Sequence, residues 1–135
     1  MADLHAAVTD THPLVFYAAG GGKLSPKVKA VFDAADDQRT IIYVPAAVIW
    51  EVGMLARIVR INLHRPVRAF FADLFSNPAF QPHPIDAGQV FDADELRFTR
   101  DPFDALVSAA ARDLSLPLIT RDATIRAAGA VTTIW

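Results

Sequence analysis

Arg100-Asp101-Pro102-Phe103-Asp104-Ala105-Leu106-Val107-Ser108-Ala109-Ala110-Ala111, and after it Leu116-Pro117-Leu118-Ile119-Thr120-Arg121-Asp122, is the stretch on which the fold turns. Pro102 suits the first turn of a helix, where its missing N–H has no partner to lose. Asp101 then takes the N-cap and Asp104 the third helical position. Both carboxylates lie at the positive end of the helix, three residues apart on neighbouring parts of one face. Residues 116–120 are a short apolar run of strand type that delivers Asp122 just past its end. Taken alone, the three aspartates read as helix caps and a turn residue. The rest of the chain decides whether they do more.

Outward from this stretch, strand-like and helical segments alternate. Residues 4–9 form a short strand candidate ending at Asp10. Pro13 permits a helical turn through Tyr17, which Gly20-Gly21-Gly22 breaks. These glycines with Lys23 do not make a phosphate loop: Tyr17 stands where its first glycine belongs, and Leu24 where its Ser or Thr belongs. Ser25-Pro26 is an N-cap and first-turn proline for a helix over 27–35, with Val28, Val31, Phe32 and Ala35 as its apolar stripe. Residues 40–44 are β-branched and apolar, a buried strand. A helix follows from Pro45 to about Val59. Another spans 66–75 after a bend near 62–66. Residues 80–85 are interrupted by prolines and make at best an edge strand. A short helix over 87–91, a lead-in over 92–99, a helical turn over 125–128 and a last strand over 130–135 complete the chain. The alternation predicts an α/β fold with a parallel sheet, in a single domain over 1–135. In such sheets sites form beyond the carboxyl ends of the strands. Asp10 and Asp122 both stand there, so the fold predicts that they meet.

Composition limits the function classes. Hydrophobic residues make up 53% of the 135, which excludes a disordered chain. The longest apolar run, 44–50, is stopped by Glu51, far short of a membrane span. The first nine residues have no basic start and no long apolar segment, so no secretory leader is expected. There are no cysteines, which excludes disulfides, thiolate metal sites and cysteine nucleophiles and fits a cytoplasmic protein. Fifteen acids against 13 bases give a net charge of -2, unlike a non-specific nucleic-acid coat. A nucleic-acid partner is compatible with that charge if the bases cluster and the acids gather in a metal site.

Glu51 is the only charged side chain between Arg39 and Arg57. Ala47, Val48, Met54 and Leu55 make the turns around it apolar, so it is expected to be buried. A lone buried carboxylate is costly unless paired, metal-bound or protonated. With the acids at element ends it gives a set of Asp10, Glu51, Asp101 or Asp104, and Asp122. Four converging carboxylates raise one another's pKa. A hard divalent cation relieves that repulsion, and Mg²⁺ or Mn²⁺ suits all-oxygen donors better than zinc or copper. Thr11 and Thr120 add hydroxyl groups. Such a site suits hydrolysis of phosphodiester bonds.

Four ordered pieces carry a resemblance: Val8-Thr9-Asp10-Thr11-His12, Ile49-Trp50-Glu51-Val52-Gly53-Met54-Leu55, Asp101-Pro102-Phe103-Asp104-Ala105-Leu106, and Leu118-Ile119-Thr120-Arg121-Asp122. Together they resemble the PIN domain, most closely the VapC-type toxins of bacterial toxin–antitoxin pairs, over essentially the whole chain. The resemblance implies a three-layer α/β/α domain with a mainly parallel sheet. It implies a Mg²⁺- or Mn²⁺-dependent endoribonuclease with an RNA substrate, neutralised by a cognate antitoxin protein and often a homodimer. It assigns the catalytic acids to Asp10, Glu51, Asp104 and Asp122, with Thr11, Asp101 and Thr120 as accessories. Asp10 and Asp104 are implied as direct metal ligands, and Glu51 and Asp122 as acting through water or a second ion. Two departures bear on specificity. Ala105 stands where toxin-type members often carry arginine. After Glu51 the chain lacks the glycine turn often seen there and is expected to continue as helix over 57–63.

Other candidates are weaker. His12 follows the first acid, but His5, His64 and His83 show no ligand spacing, and packing beside a turn is the plainer role for His12. Ser108, one turn after Asp104, is expected to hydrogen-bond the backbone. Arg57, Arg60, Arg65 and Arg68 with His64 are either a solvated helix face or an RNA phosphate track, and Arg100, Arg121 and Arg126 flank the acids. Phe70, Phe71, Leu74 and Phe75 are core candidates; Trp50 and Met54 suit a groove for an antitoxin helix or a dimer partner. A non-catalytic PIN-like module binding RNA or protein is the alternative function. A phosphatase with Asp10 as nucleophile is disfavoured, because His12 stands where haloacid-type enzymes place a second aspartate.

Overall fold

Five strands alternate with seven helices in the computed structural model, which describes residues 4–135. Residues 1–3, the start of the stretch read for a leader, lie outside the described residues. The strands are β1 (Ala6–Thr9), β2 (Ile41–Pro45), β3 (Phe80–His83), β4 (Leu118–Ile119) and β5 (Thr133–Ile134). The helices are α1 (Thr11–Ala18), α2 (Pro26–Asp36), α3 (Ala46–Arg57), α4 (Val67–Phe75), α5 (Ala87–Glu95), α6 (Pro102–Leu114) and α7 (Ala123–Ala128). The strands form one sheet in the order β3-β2-β1-β4-β5, parallel at every pairing.

Neighbouring residues of a strand face opposite sides of a sheet. Ala7 and Val8 in β1, and Leu118 and Ile119 in β4, are all fully buried, so helices cover both faces at the centre. The short strands are therefore apolar runs rather than alternating ones. β3 is an edge strand, and Pro82 lies there in register with Val44. Tyr17 stacks on Phe32 and Phe80 with ring centroids 4.7 and 5.7 Å apart, tying α1 and α2 to that edge. No described helix is long and apolar enough to cross a membrane.

Local signals explain most element ends. Ser25 Oγ accepts from Val28 N and Pro26 opens α2. Asp101 caps α6 by accepting from Phe103 N at 2.8 Å, and Asp104 falls in the first turn.

Three elements differ from the sequence expectation. α5 continues to Glu95, so half of the lead-in over 92–99 is helix; its Ala93, with Leu96 just past its end, packs with Ala109 of α6. α3 ends at Arg57, and residues 58–65 are not helical. Ile58 and Val59 are β-branched, poor at extending a helix, and Val59 takes a left-handed φ of 59°. The last strand is only Thr133–Ile134, since pairing with the two-residue β4 limits its ladder.

Candidate active site

The strand order reverses between β1 and β4: β2 and β3 lie on one side of β1, β4 and β5 on the other. Such a switch point opens a crevice beyond the carboxyl ends of the two strands. Asp10 follows β1 there, and Thr120 and Asp122 follow β4. Each aspartate is an N-cap. Asp10 Oδ1 accepts from Thr11 N at 2.8 Å, and Asp122 Oδ1 accepts from Ile125 N at 2.9 Å. Thr120 joins them: its hydroxyl donates to Asp10 Oδ2 at 2.7 Å and accepts from Asp122 N at 3.1 Å. Asp10 is only 7% exposed and Thr120 fully buried.

α6 packs on β1 and against α3, and α3 packs against α1. Those contacts bring Asp104 and Glu51 to the same crevice. Burial raises the pKa of all three inner acids. For Asp10 the donors Thr120 and Thr11 oppose that rise and Asp122 adds to it. For Glu51 burial is again the main cause, with Thr11 opposing and Asp10 and Asp101 adding. Asp104 is pushed up to about 7, by burial first and then by Asp101, Asp10, Asp122 and Glu51. Every other acid named from the sequence thus acts on Asp104.

Glu51 is half-buried rather than enclosed. The reason is that α3 is apolar all round but not covered all round: Trp50 beside it is 57% exposed. Ser108 is buried without a partner for its hydroxyl, so the expected backbone bond is not made. His12 is exposed in the first turn of α1, its ring 6.1 Å from that of Phe16. Of the four arginines read as a track, Arg60 and Arg65 lie outside helices, and Arg65 pairs with Asp73 at 3.1 Å.

The chemistry of the donors fits a hard divalent cation. All are carboxylate or hydroxyl oxygens. The repulsion on Asp104 is uncompensated by any described salt bridge. Thr11 Oγ1 is buried in the crevice, near enough to Glu51 to favour its charge, yet makes no well-formed hydrogen bond. Among the described residues no three acids or histidines close on one point as a complete set of ligands. Mg²⁺ is commonly held by one or two carboxylates plus waters, so two direct ligands suffice.

One feature had only Arg121 as its signal in the sequence. Phe16 lies under two cations: the Arg121 guanidinium is 4.7 Å from its ring centroid and the Lys23 ammonium 5.6 Å. Only folding brings these three together.

A parallel sheet with acids at the carboxyl ends of the adjacent strands β1 and β4 is the frame of a small α/β domain with an acidic crevice. The PIN domain model matches residues 7–131, and the chain belongs to the PIN domain family. Among curated proteins none matches it. Its fold is similar to that of VapBC2 from Rickettsia felis, solved bound to a DNA fragment from their promoter, at 13% identity and a TM-score of 0.68 over 96% of this chain and 97% of that one. VapC20 from Mycobacterium tuberculosis, described as a sarcin–ricin loop cleaving toxin, is 18% identical with a TM-score of 0.66, over 91% and 95% of the two chains. FitAcB from Neisseria gonorrhoeae is 19% identical with a TM-score of 0.63, over 96% of each.

Proposed function

We propose that this chain, folding as one domain, is a Mg²⁺- or Mn²⁺-dependent endoribonuclease and the toxin of a toxin–antitoxin pair. The observation that carries the reading is the convergence of Asp10, Glu51, Asp101 and Asp122 on Asp104, whose carboxyl is pushed up to about 7. Asp10 and Asp104 hold the ion. Glu51 and Asp122 act through water or a second ion. Bound there, the cation supplies Lewis acidity for attack by water on a phosphodiester and for departure of the leaving oxygen.

The chain's own residues do the positioning. Thr120 and the Thr11 N–H fix both oxygens of Asp10. Asp101 caps the start of α6, which carries Asp104, and Asp122 caps the start of α7. Arg121 and Lys23, seated on Phe16, offer cations to RNA phosphates at the mouth. Similarity of fold to VapBC2 and FitAcB supports a cognate antitoxin as partner, and a homodimer acting in the cytoplasm completes the reading.

Purified protein is expected to cleave RNA with Mg²⁺ or Mn²⁺ and to stop in EDTA. Asp104→Asn is expected to fold and lose cleavage. Undiminished cleavage by that variant would remove Asp104 from the chemistry.

A further inference from the structure

Trp50 precedes Glu51 on α3, and Phe103 lies between Asp101 and Asp104 on α6. Their rings meet edge to face, centroids 5.0 Å apart and planes at 70°. The contact restrains the indole, yet the residue remains 57% exposed. A single exposed tryptophan needs no explanation. Two further observations give this one a use. The first is its place: along the chain Trp50 adjoins Glu51 and Phe103 adjoins Asp104, two of the acids of the crevice. The second is the groove alongside. It has a volume of about 430 Å³, the size of a small-ligand site, and is lined by Trp50, Ile49, Gly53 and Val67 together with Arg57 and Arg65. No carboxylate lines it. Arg57 has no ion-pair partner among the described residues.

We infer that Trp50 is a stacking platform for a base of single-stranded RNA next to the bond being cut, with Arg57 receiving the adjoining phosphate. This rests on the nuclease reading above. An apolar partner helix would use the indole but not the guanidinium groups. A nucleotide uses both, base on ring and phosphate on arginine. Stacking is tolerant of sequence, because every base has a π face. Trp50 therefore sets how firmly the flanking nucleotide is held, and Phe103 is a positioning residue that fixes the indole's tilt.

The test compares Trp50→Leu, which keeps apolar bulk and removes the π face, with Trp50→Phe, which keeps a smaller one. Binding of a fluorescein-labelled, mixed-sequence 12-nucleotide single-stranded RNA is followed by anisotropy in EDTA. Cleavage of the same RNA is followed in Mg²⁺ and Mn²⁺, and oligomeric state by sedimentation. Trp50→Leu is expected to weaken binding roughly ten- to hundredfold and to raise KM with little change in kcat. Trp50→Phe should stay within a few-fold of wild type, and sedimentation should not move. Wild-type affinity in Trp50→Leu overturns the inference. So does a loss of affinity that only follows dissociation of a dimer, which would assign this face to a second copy. Cleavage by Trp50→Leu at unchanged KM overturns the inference and leaves the nuclease reading standing. No cleavage by wild type, with RNA binding still dependent on the indole, overturns the nuclease reading and the placement beside a cut bond, and leaves only the stacking contact standing.

Discussion

Asp104→Asn should make the metal-free protein more stable, and only at neutral and alkaline pH. The carboxyl of Asp104 has an ordinary pKa of 3.8 and is pushed up to about 7 in the folded chain. Below about pH 4 it is protonated both folded and unfolded, and it costs nothing. As pH rises from 4 to 7, the unfolded chain ionises it while the folded chain retains the proton. Stability is lost steadily through that window and levels off above 7. At about 1.4 kcal/mol for each tenfold change in proton affinity, the full displacement is worth about 4 kcal/mol. Asp104 is half-buried, so solvent screening reduces this to about 2 kcal/mol. Asparagine has nearly the same shape and no charge. The variant should therefore exceed wild type by about 2 kcal/mol at pH 8, or about 7 °C in Tm for a chain of this size, and match it near pH 4. Urea unfolding of EDTA-treated protein at the two pH values measures the difference. Added Mg²⁺ should raise the midpoint of wild type and leave that of the variant nearly unmoved. A variant no more stable than wild type at pH 8, or equally stabilised at both pH values, would refute the convergence of charge on Asp104.

Three other outcomes are expected. Mg²⁺ affinity should climb as pH rises through about 7 and then level, because the ion must displace the proton on Asp104; calorimetry in buffers of different ionisation enthalpy would show the released proton. Thr120→Val keeps the shape but removes the 2.7 Å bond to Asp10 and the acceptor for Asp122 N; it should cost about 2 kcal/mol in urea unfolding and lower RNA cleavage at least about tenfold. Val59→Gly should stabilise the chain by about 1 kcal/mol in thermal unfolding, since a β-branched residue is strained at a φ of 59° and glycine is not.

The sequence by itself determined which residues stand at element ends. Proline at a first turn, aspartate at an N-cap and short β-branched runs act over a few residues, so they are legible without the fold. They located Asp10, Asp101, Asp104 and Asp122 and foretold a parallel sheet with the first and last of these at strand ends. Glu51 was legible for another reason: one charge in an apolar helix must be accounted for somewhere. Local signals also misled where they were faint. Nothing between residues 91 and 96 marks a helix end, and α5 runs on because packing on α6 stabilises it. Nothing before Val59 announces a left-handed residue that stops α3. Distances between segments were decided only by tertiary structure. Parallel pairing of β1 with β4 puts Thr120 on Asp10, and packing of α3 on α6 sets Trp50 edge-on to Phe103 while leaving most of its indole uncovered. The physical reason is range. Caps and turns are governed by bonds within one turn of chain, whereas the burial of Glu51, the field on Asp104 and the cations over Phe16 depend on partners that only the completed core brings near.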